Sequence, residues 1–220
     1  FCMNKKQSVI ILHGWGLTGK RFIHLKEAFE DKGYTVFKPD LPGFGTSAAP
    51  LKPYHLSDYA EFLHVFIKNH SIVHPILVGH SFGGRVSLKY QMLFPKSIRA
   101  LILTGTPGYT PVPRKKLVFF ITLAKVGKFF LSVWPLTLLQ EGVRRWYYYV
   151  VGAREFYRAE GVMRQVFKNI VQEDLFSCMK TVNVPCALVW GADDRITPVW
   201  IAKRMNEDIA GSHRIVIPDA

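Results

Sequence analysis

Cysteine is scarce in this chain: Cys2, Cys178 and Cys186 are the whole complement. They form no Cys-x-x-Cys pair and no metal-ligand spacing, so neither a disulfide scaffold nor a cysteine-built metal centre is expected. Three free thiols point instead to a reducing compartment, the cytoplasm. Acidic residues are also few, 16 against 29 lysines and arginines, for a formal net charge of +13. Such a balance permits contact with nucleic acid, an anionic membrane surface or anionic substrates. The basic residues are scattered, however, with no long Lys/Arg run and no nucleic-acid motif, so a nucleic-acid partner is not expected. No secretory leader is visible, because the first strand pattern begins within about eight residues. The most apolar long run, Leu117 to Trp134, is broken by Lys125, Gly127 and Lys128 and ended by Pro135. Two charges near the middle of a span of minimum length argue for a helix in a lid rather than a membrane crossing, and peripheral membrane contact is not favoured. Internal repeats and low-complexity segments are absent.

The chain does have ample apolar material. Hydrophobic residues make up 49% of 220, enough for the core of one domain, or of one domain carrying an insertion. Short β-rich runs are predicted at Ser8–Leu12, Tyr34–Lys38, Pro75–Val78, Ala100–Thr104, Pro185–Trp190 and Arg214–Ile217. Helical patterns are predicted between them at Lys20–Lys32, Ser57–His70, Gly83–Phe94 and Pro198–Ile209. Ser57 and Ser81 sit where helices should start, and Gly33 where one should stop. Several strands are apolar on both faces, as expected of a parallel sheet covered by helices, and the alternation predicts a doubly wound α/β fold. From Pro107 to about Val182 the rhythm breaks into helical patterns rich in aromatic and basic residues. Residues 107–182 are therefore expected to be an inserted helical cap, with 1–106 and 183–220 as the core. An insertion there would cover the carboxyl edge of the sheet, where open α/β folds bind ligands.

Four segments fall at or just beyond strand ends: His13-Gly14-Trp15-Gly16, Asp40 to Ser47, Gly79-His80-Ser81-Phe82-Gly83, and Trp190 to Pro198. The third is a G-x-S-x-G string between an apolar strand and a helix, the context of a nucleophile elbow. The competing reading of Ser81 is a helix-capping serine. The first segment continues as Gly14-Trp15-Gly16-Leu17-Thr18-Gly19-Lys20, most of a phosphate-binding loop, but Arg21 stands where that motif needs Ser or Thr to hold magnesium.

In these segments, and in its order of elements along nearly the whole chain, the sequence resembles the α/β-hydrolase superfamily. It is similar in particular to BioH-like carboxylesterases and to meta-cleavage-product hydrolases. The resemblance implies Ser81 as nucleophile and the backbone N–H groups of Trp15 and Phe82 as the oxyanion hole. It implies Asp194 as the triad acid, three residues after Gly191, with Asp193 as the less favoured neighbour. Either aspartate could instead cap the helix beginning near Pro198. The triad histidine is expected in a loop reading Pro-Asp-Ala-Gly-His, so that it falls just after Ala220; a hairpin is expected ahead of Ser8. None of the eight histidines is expected to be the base: His80 supports the elbow, His13 shapes the oxyanion loop, and His213 belongs at the opposite edge of the sheet. His24, His55, His64, His70 and His74 are expected in exposed or capping roles. On this reading the 220 residues by themselves should have at most very weak esterase activity.

The implied reaction is hydrolysis of a small carboxylic ester, thioester or lactone through an acyl-enzyme on Ser81. The alternatives are carbon–carbon bond hydrolysis of the meta-cleavage type and, from another class, a non-catalytic ligand-binding or interaction protein. A serine at the elbow argues against the dehalogenase and epoxide-hydrolase branches. No metal or organic cofactor is implied, because a triad supplies nucleophile, base and acid. Arg114, Lys115, Lys116, Arg144, Arg145, Arg154 and Arg158 in the expected cap suggest a basic entrance for an anionic, ester-like small molecule, or simply a solvated basic surface.

Overall fold

The structure is a computed structural model that describes residues 6–109 and 159–220. Most of the expected cap, including the Leu117–Trp134 run and the seven basic residues named above, lies outside the described residues, as does Cys2. Six strands form one sheet: β1 (Ser8–Leu12), β2 (Thr35–Phe37), β3 (Ile76–His80), β4 (Ala100–Thr104), β5 (Cys186–Gly191) and β6 (His213–Ile217). Their spatial order is β2-β1-β3-β4-β5-β6 and every pairing is parallel. The described helices are α1 (Ile23–Asp31), α2 (Leu56–Asn69), α3 (Phe82–Leu93), α4 (Gly161–Gln172), α5 (Phe176–Lys180) and α6 (Val199–Asp208).

Alternation along the strands sorts the core into two faces. Ile10 and Leu12 of β1, Leu77 of β3, Leu101 and Leu103 of β4 and Leu188 of β5 join the larger cluster with α2, α3 and α6. Val9, Ile11, Val36 and Val78 point to the other face and meet Phe22 and Phe29. Helices on both faces make the fold a doubly wound α/β sheet, as predicted.

Three local expectations change. The run Lys20–Lys32 is divided into a 3-10 turn, Gly19–Phe22, followed by α1. α2 starts one residue early, at Leu56 rather than at Ser57, because the Asp58 carboxylate accepts the His55 N–H at 2.7 Å and closes the first turn. The edge strand β6 is also left uncovered on both faces among the described residues. Every residue of β6 is exposed, and Ile215 is 51% exposed.

The wiring sets the site. From β1 the chain moves outward to β2; from β3 it moves the other way to β4. The two strands are neighbours, with Leu12 opposite Gly79. Their carboxyl ends therefore flank the topological switch point, where the loops diverge and leave a crevice.

Among the described residues no helix is long and apolar enough to cross a membrane. Cys178 and Cys186 are free and buried; burial raises both thiols, Cys186 to about 12.

Candidate active site

Ser81 occupies the sharp turn from β3 into α3. Its φ of +51° and ψ of −111° lie outside the ordinary regions for an L-residue. The surroundings hold it there. Ser81 N–H donates to the Thr104 carbonyl at 2.9 Å, and its carbonyl accepts from Gly84 N–H at 3.0 Å. The helix also presses unusually close to the sheet. A Cβ on Gly79 would lie 2.5 Å from the Gly84 Cα, and one on Gly83 only 2.2 Å from the Leu12 carbonyl oxygen. Both glycines are needed for this approach. Although Ser81 stands at the N-cap position, its side chain makes no cap hydrogen bond. The capping role is thus not what its hydroxyl does.

The loop after β1 brings Trp15 beside this turn. Trp15 is half-buried, and its ring meets those of Phe82 at 5.5 Å and Phe44 at 4.8 Å, edge to face. The backbone N–H groups of Trp15 and Phe82 have no hydrogen-bond partner among the described residues. Buried His13 shapes the loop as predicted: Nδ1–H donates to the Gly14 carbonyl at 2.8 Å, while Nε2 accepts the Leu41 N–H at 2.9 Å. Burial lowers its pKa, so the ring stays neutral in the tautomer these two bonds require.

Asp40 braces the same loops. It accepts the Gly19 N–H at 2.8 Å, and the N–H and hydroxyl of Thr46 at 2.9 and 3.0 Å. Burial opposes its ionisation, but the Thr46 and Gly19 donors outweigh burial and hold its carboxyl below the usual range. The phosphate-loop reading fails here, because Gly19 N–H is already committed to a carboxylate that would repel a phosphate.

The loop after β5 separates the two aspartates. Asp193 is exposed. Asp194 is half-buried and oriented by three donors: Ile196 N–H and Thr197 N–H to Oδ1, both at 2.8 Å, and the Thr197 hydroxyl to Oδ2 at 2.6 Å. These bonds precede α6, so Asp194 organises its own loop rather than capping that helix. Trp190 closes the loop from below, its indole N–H donating to the Thr197 carbonyl at 2.7 Å. A Cβ on Gly105, at the end of β4, would meet the Thr197 Oγ1 at 3.3 Å, the Asp194 Oδ2 at 3.5 Å and the His80 Cε1 at 3.6 Å. Asp194 therefore reaches the back of the serine turn.

The histidines fall largely as expected. His80 Nδ1 is hydrogen-bonded to the Thr104 hydroxyl at 2.9 Å. Burial lowers its pKa against the pull of Asp194. His213 starts β6, at the opposite edge of the sheet. His64 departs from expectation: instead of lying exposed or capping a helix, it stacks on Phe94 at 4.0 Å.

Helix α4 lies across the site. Its Phe167 ring sits 4.9 Å from Trp15, and its Met163 packs where a Cβ on Gly43 would fall. Sequence reasoning missed what anchors this helix, the buried Arg85 and its partner Glu173. It also missed the aromatic contacts made by Phe44 and Phe167. The one available signal was a charged residue one turn into a helix that is otherwise buried along its length.

Comparison with known proteins places these features in a family context. Residues 7–123 match the sequence model described as the alpha/beta hydrolase fold. Lipase 3 of Moraxella sp. is 25% identical, over 97% of this chain and 70% of the lipase. A 2-hydroxy-6-oxononadienedioate/2-hydroxy-6-oxononatrienedioate hydrolase of Burkholderia vietnamiensis is 27% identical, over 90% of this chain and 75% of its own length. Among solved structures, an esterase from Exiguobacterium antarcticum superposes with a TM-score of 0.71 at 24% identity, covering 96% of this chain and 83% of the esterase.

Proposed function

Because the chain belongs to the α/β-hydrolase fold family, whose lipase and hydrolase relatives make it a hydrolase, we propose that it cleaves a small carboxylic ester, thioester or lactone through Ser81. The observation that carries this reading is the serine itself. It is strained at φ +51°, unbonded as a cap, and adjoined by the N–H groups of Trp15 and Phe82, which have no partner among the described residues. A strained backbone held by its surroundings is a common property of catalytic residues.

The chemistry follows. Ser81 Oγ attacks the substrate carbonyl carbon as an imidazole takes its proton. The tetrahedral oxyanion is met by the N–H groups of Trp15, in the loop after β1, and of Phe82, at the start of α3, where the helix dipole also favours negative charge. Collapse expels the alcohol or thiol, which receives the proton from the imidazolium. Water then repeats the sequence on the acyl-enzyme. Asp194 orients the imidazole and stabilises its positive form. That imidazole belongs to the triad histidine that the resemblance implies.

Residues 107–182 serve as the cap, a reading supported by α4 resting on Trp15 and the Gly43 loop. The substrate is a small molecule, favoured if anionic by the basic residues of the segment beyond Tyr109. The cytoplasm suits the free Cys178 and Cys186. A second reading, carbon–carbon hydrolysis of a vinylogous diketone on the same residues, draws on the Burkholderia relative.

The test is covalent labelling of the natural full-length protein with a fluorophosphonate, followed by peptide mapping. Stoichiometric label on Ser81, lost in Ser81→Ala, is the expected result. An unlabelled, well-folded protein would mark a non-catalytic binding role. Turnover of esters against vinylogous diketones then separates the two hydrolytic readings.

A further inference from the structure

Arg85 stands one turn beyond Ser81 on α3 and is 6% exposed. Both terminal nitrogens of its guanidinium bond backbone carbonyls, while Nε has no partner among the described residues. One terminal nitrogen donates to Pro107 at 2.6 Å; the other donates to Ile170 at 2.7 Å and to Glu173 at 2.5 Å. Pro107 is where the chain leaves the sheet after β4, and Ile170 and Glu173 end the helix on which it returns. A single side chain thus ties the start of the expected insertion and the last turn of α4 to the helix that presents the nucleophile. The last carbonyls of α4 are natural acceptors for a cation.

Glu173 completes the fastening. Its carboxylate pairs with Lys89 Nζ at 2.9 Å and accepts the Leu56 N–H, at the start of α2, at 3.2 Å. Burial draws Arg85 down to about 10, which leaves it charged near neutral pH. The same α4 carries Phe167 onto Trp15. Any shift of α4 along α3 is therefore felt at the face of the site.

We propose that Arg85 is a positioning residue that registers α4 against the Ser81 helix and so sets the discrimination between short and long acyl groups. The discrimination rests on the serine-hydrolase reading; the registration does not.

The natural full-length protein, R85K and R85M are labelled with a short-chain and a long-chain fluorophosphonate. Amide hydrogen exchange is followed in parallel. For R85M the long-chain rate should fall about tenfold relative to the short-chain rate, since small misplacements remote from the chemistry are costly. The short-chain rate should change by less than about threefold. Exchange should quicken across residues 159–175 but not in β1 or β3. Lysine keeps the charge but not the fork, so R85K should fall between. If R85M does not fold, R85K carries the test. An unchanged long-to-short ratio, or equal loss with both probes, overturns the proposal and leaves Arg85 a purely structural staple. If the wild type does not label Ser81, the hydrolase reading fails by itself. Exchange then decides the registration, and unchanged protection across 159–175 in the variants overturns it.

Discussion

Substituting Gly83 by alanine tests the packing that presents Ser81. The new Cβ would lie 2.2 Å from the Leu12 carbonyl oxygen, 2.5 Å from its carbonyl carbon and 2.7 Å from its Cβ. Two of these atoms are backbone at the carboxyl end of a paired strand, so no side-chain rotation relieves the clash. α3 must withdraw from β1 by about 1 Å to restore contact distance, and overpacking of this kind costs about 3 kcal/mol. In a domain of this size that corresponds to a fall in Tm of about 6–12 °C. Gly33→Ala is the matched control. Gly33 has φ +85° with nothing within 4 Å of the added carbon, so only backbone strain of about 1–2 kcal/mol is expected. Urea unfolding followed by tryptophan fluorescence gives both values. The fluorophosphonate rate adds a second readout, which should drop about a hundredfold in Gly83→Ala, because a 1 Å displacement of a reacting group has that effect. If Gly83→Ala is no less stable than Gly33→Ala and labels normally, the close approach of α3 to Leu12 is not what holds the elbow.

Asp194→Asn should lower ester turnover about ten-thousandfold, the loss expected when a triad carboxylate can no longer support the right tautomer, whereas exposed Asp193→Asn should stay within about threefold. Thr197→Val removes the 2.6 Å hydroxyl bond to Asp194 but keeps the Thr197 N–H bond; turnover should fall about tenfold, as expected when a net hydrogen bond of about 1.4 kcal/mol is lost. Burial lowers the pKa of His13 and of His80, so both stabilise the fold above the ordinary histidine value and lose that contribution as pH falls below it. Urea unfolding should therefore show stability declining on acidification from pH ~7 to pH ~5, with the decline shallower by up to one proton in His13→Asn; an equal slope would remove His13 from the account. Cys186 is raised instead, to about 12. Its contribution is complete below the unfolded thiol value and is lost as pH climbs toward 12, so alkaline unfolding of Cys186→Ala should be the less pH-dependent.

The strands and the serine turn were legible because their causes are local. A parallel strand buried on both faces needs a continuous apolar run, and Ile76 to Val78 is one. A residue forced to φ +51° between a strand and a helix needs small neighbours, and Gly79 and Gly83 supply them. What escaped the sequence depends on contacts between distant positions. The Arg85 acceptors lie 22, 85 and 88 residues away along the chain. A charge among the small and apolar residues of α3 marks position 85 as unusual, but nothing in the sequence names its partners. The start of α2 was misplaced for a related reason: Ser57 is a good capping residue, but the carboxylate that closes the turn belongs to Asp58, and it reaches back to His55. The exposure of β6 was hidden as well, since Ile215 and Ile217 have the composition of a covered strand whatever packs against them.

Asp194 shows how far the site is organised by its own loops. Its carboxylate is held by Ile196 and Thr197 of the same turn, and that turn is pinned by Trp190. None of these donors comes from a histidine. The orientation of the carboxylate is therefore set by the loop after β5; on the proposed reading, an imidazole approaching Oδ2 would meet an acceptor already aimed. Gly105 keeps the approach open, because a side chain there would stand within 3.6 Å of the Thr197, Asp194 and His80 side chains at once. The same logic applies at the other side of the crevice, where the neutral His13 ring and the Asp40 carboxylate fix the loop that carries Trp15. Preorganised groups cost no rearrangement when charge develops. In this chain the preorganisation is built from short-range bonds at the carboxyl ends of β1, β3 and β5, and the parallel register of the sheet brings them to one edge.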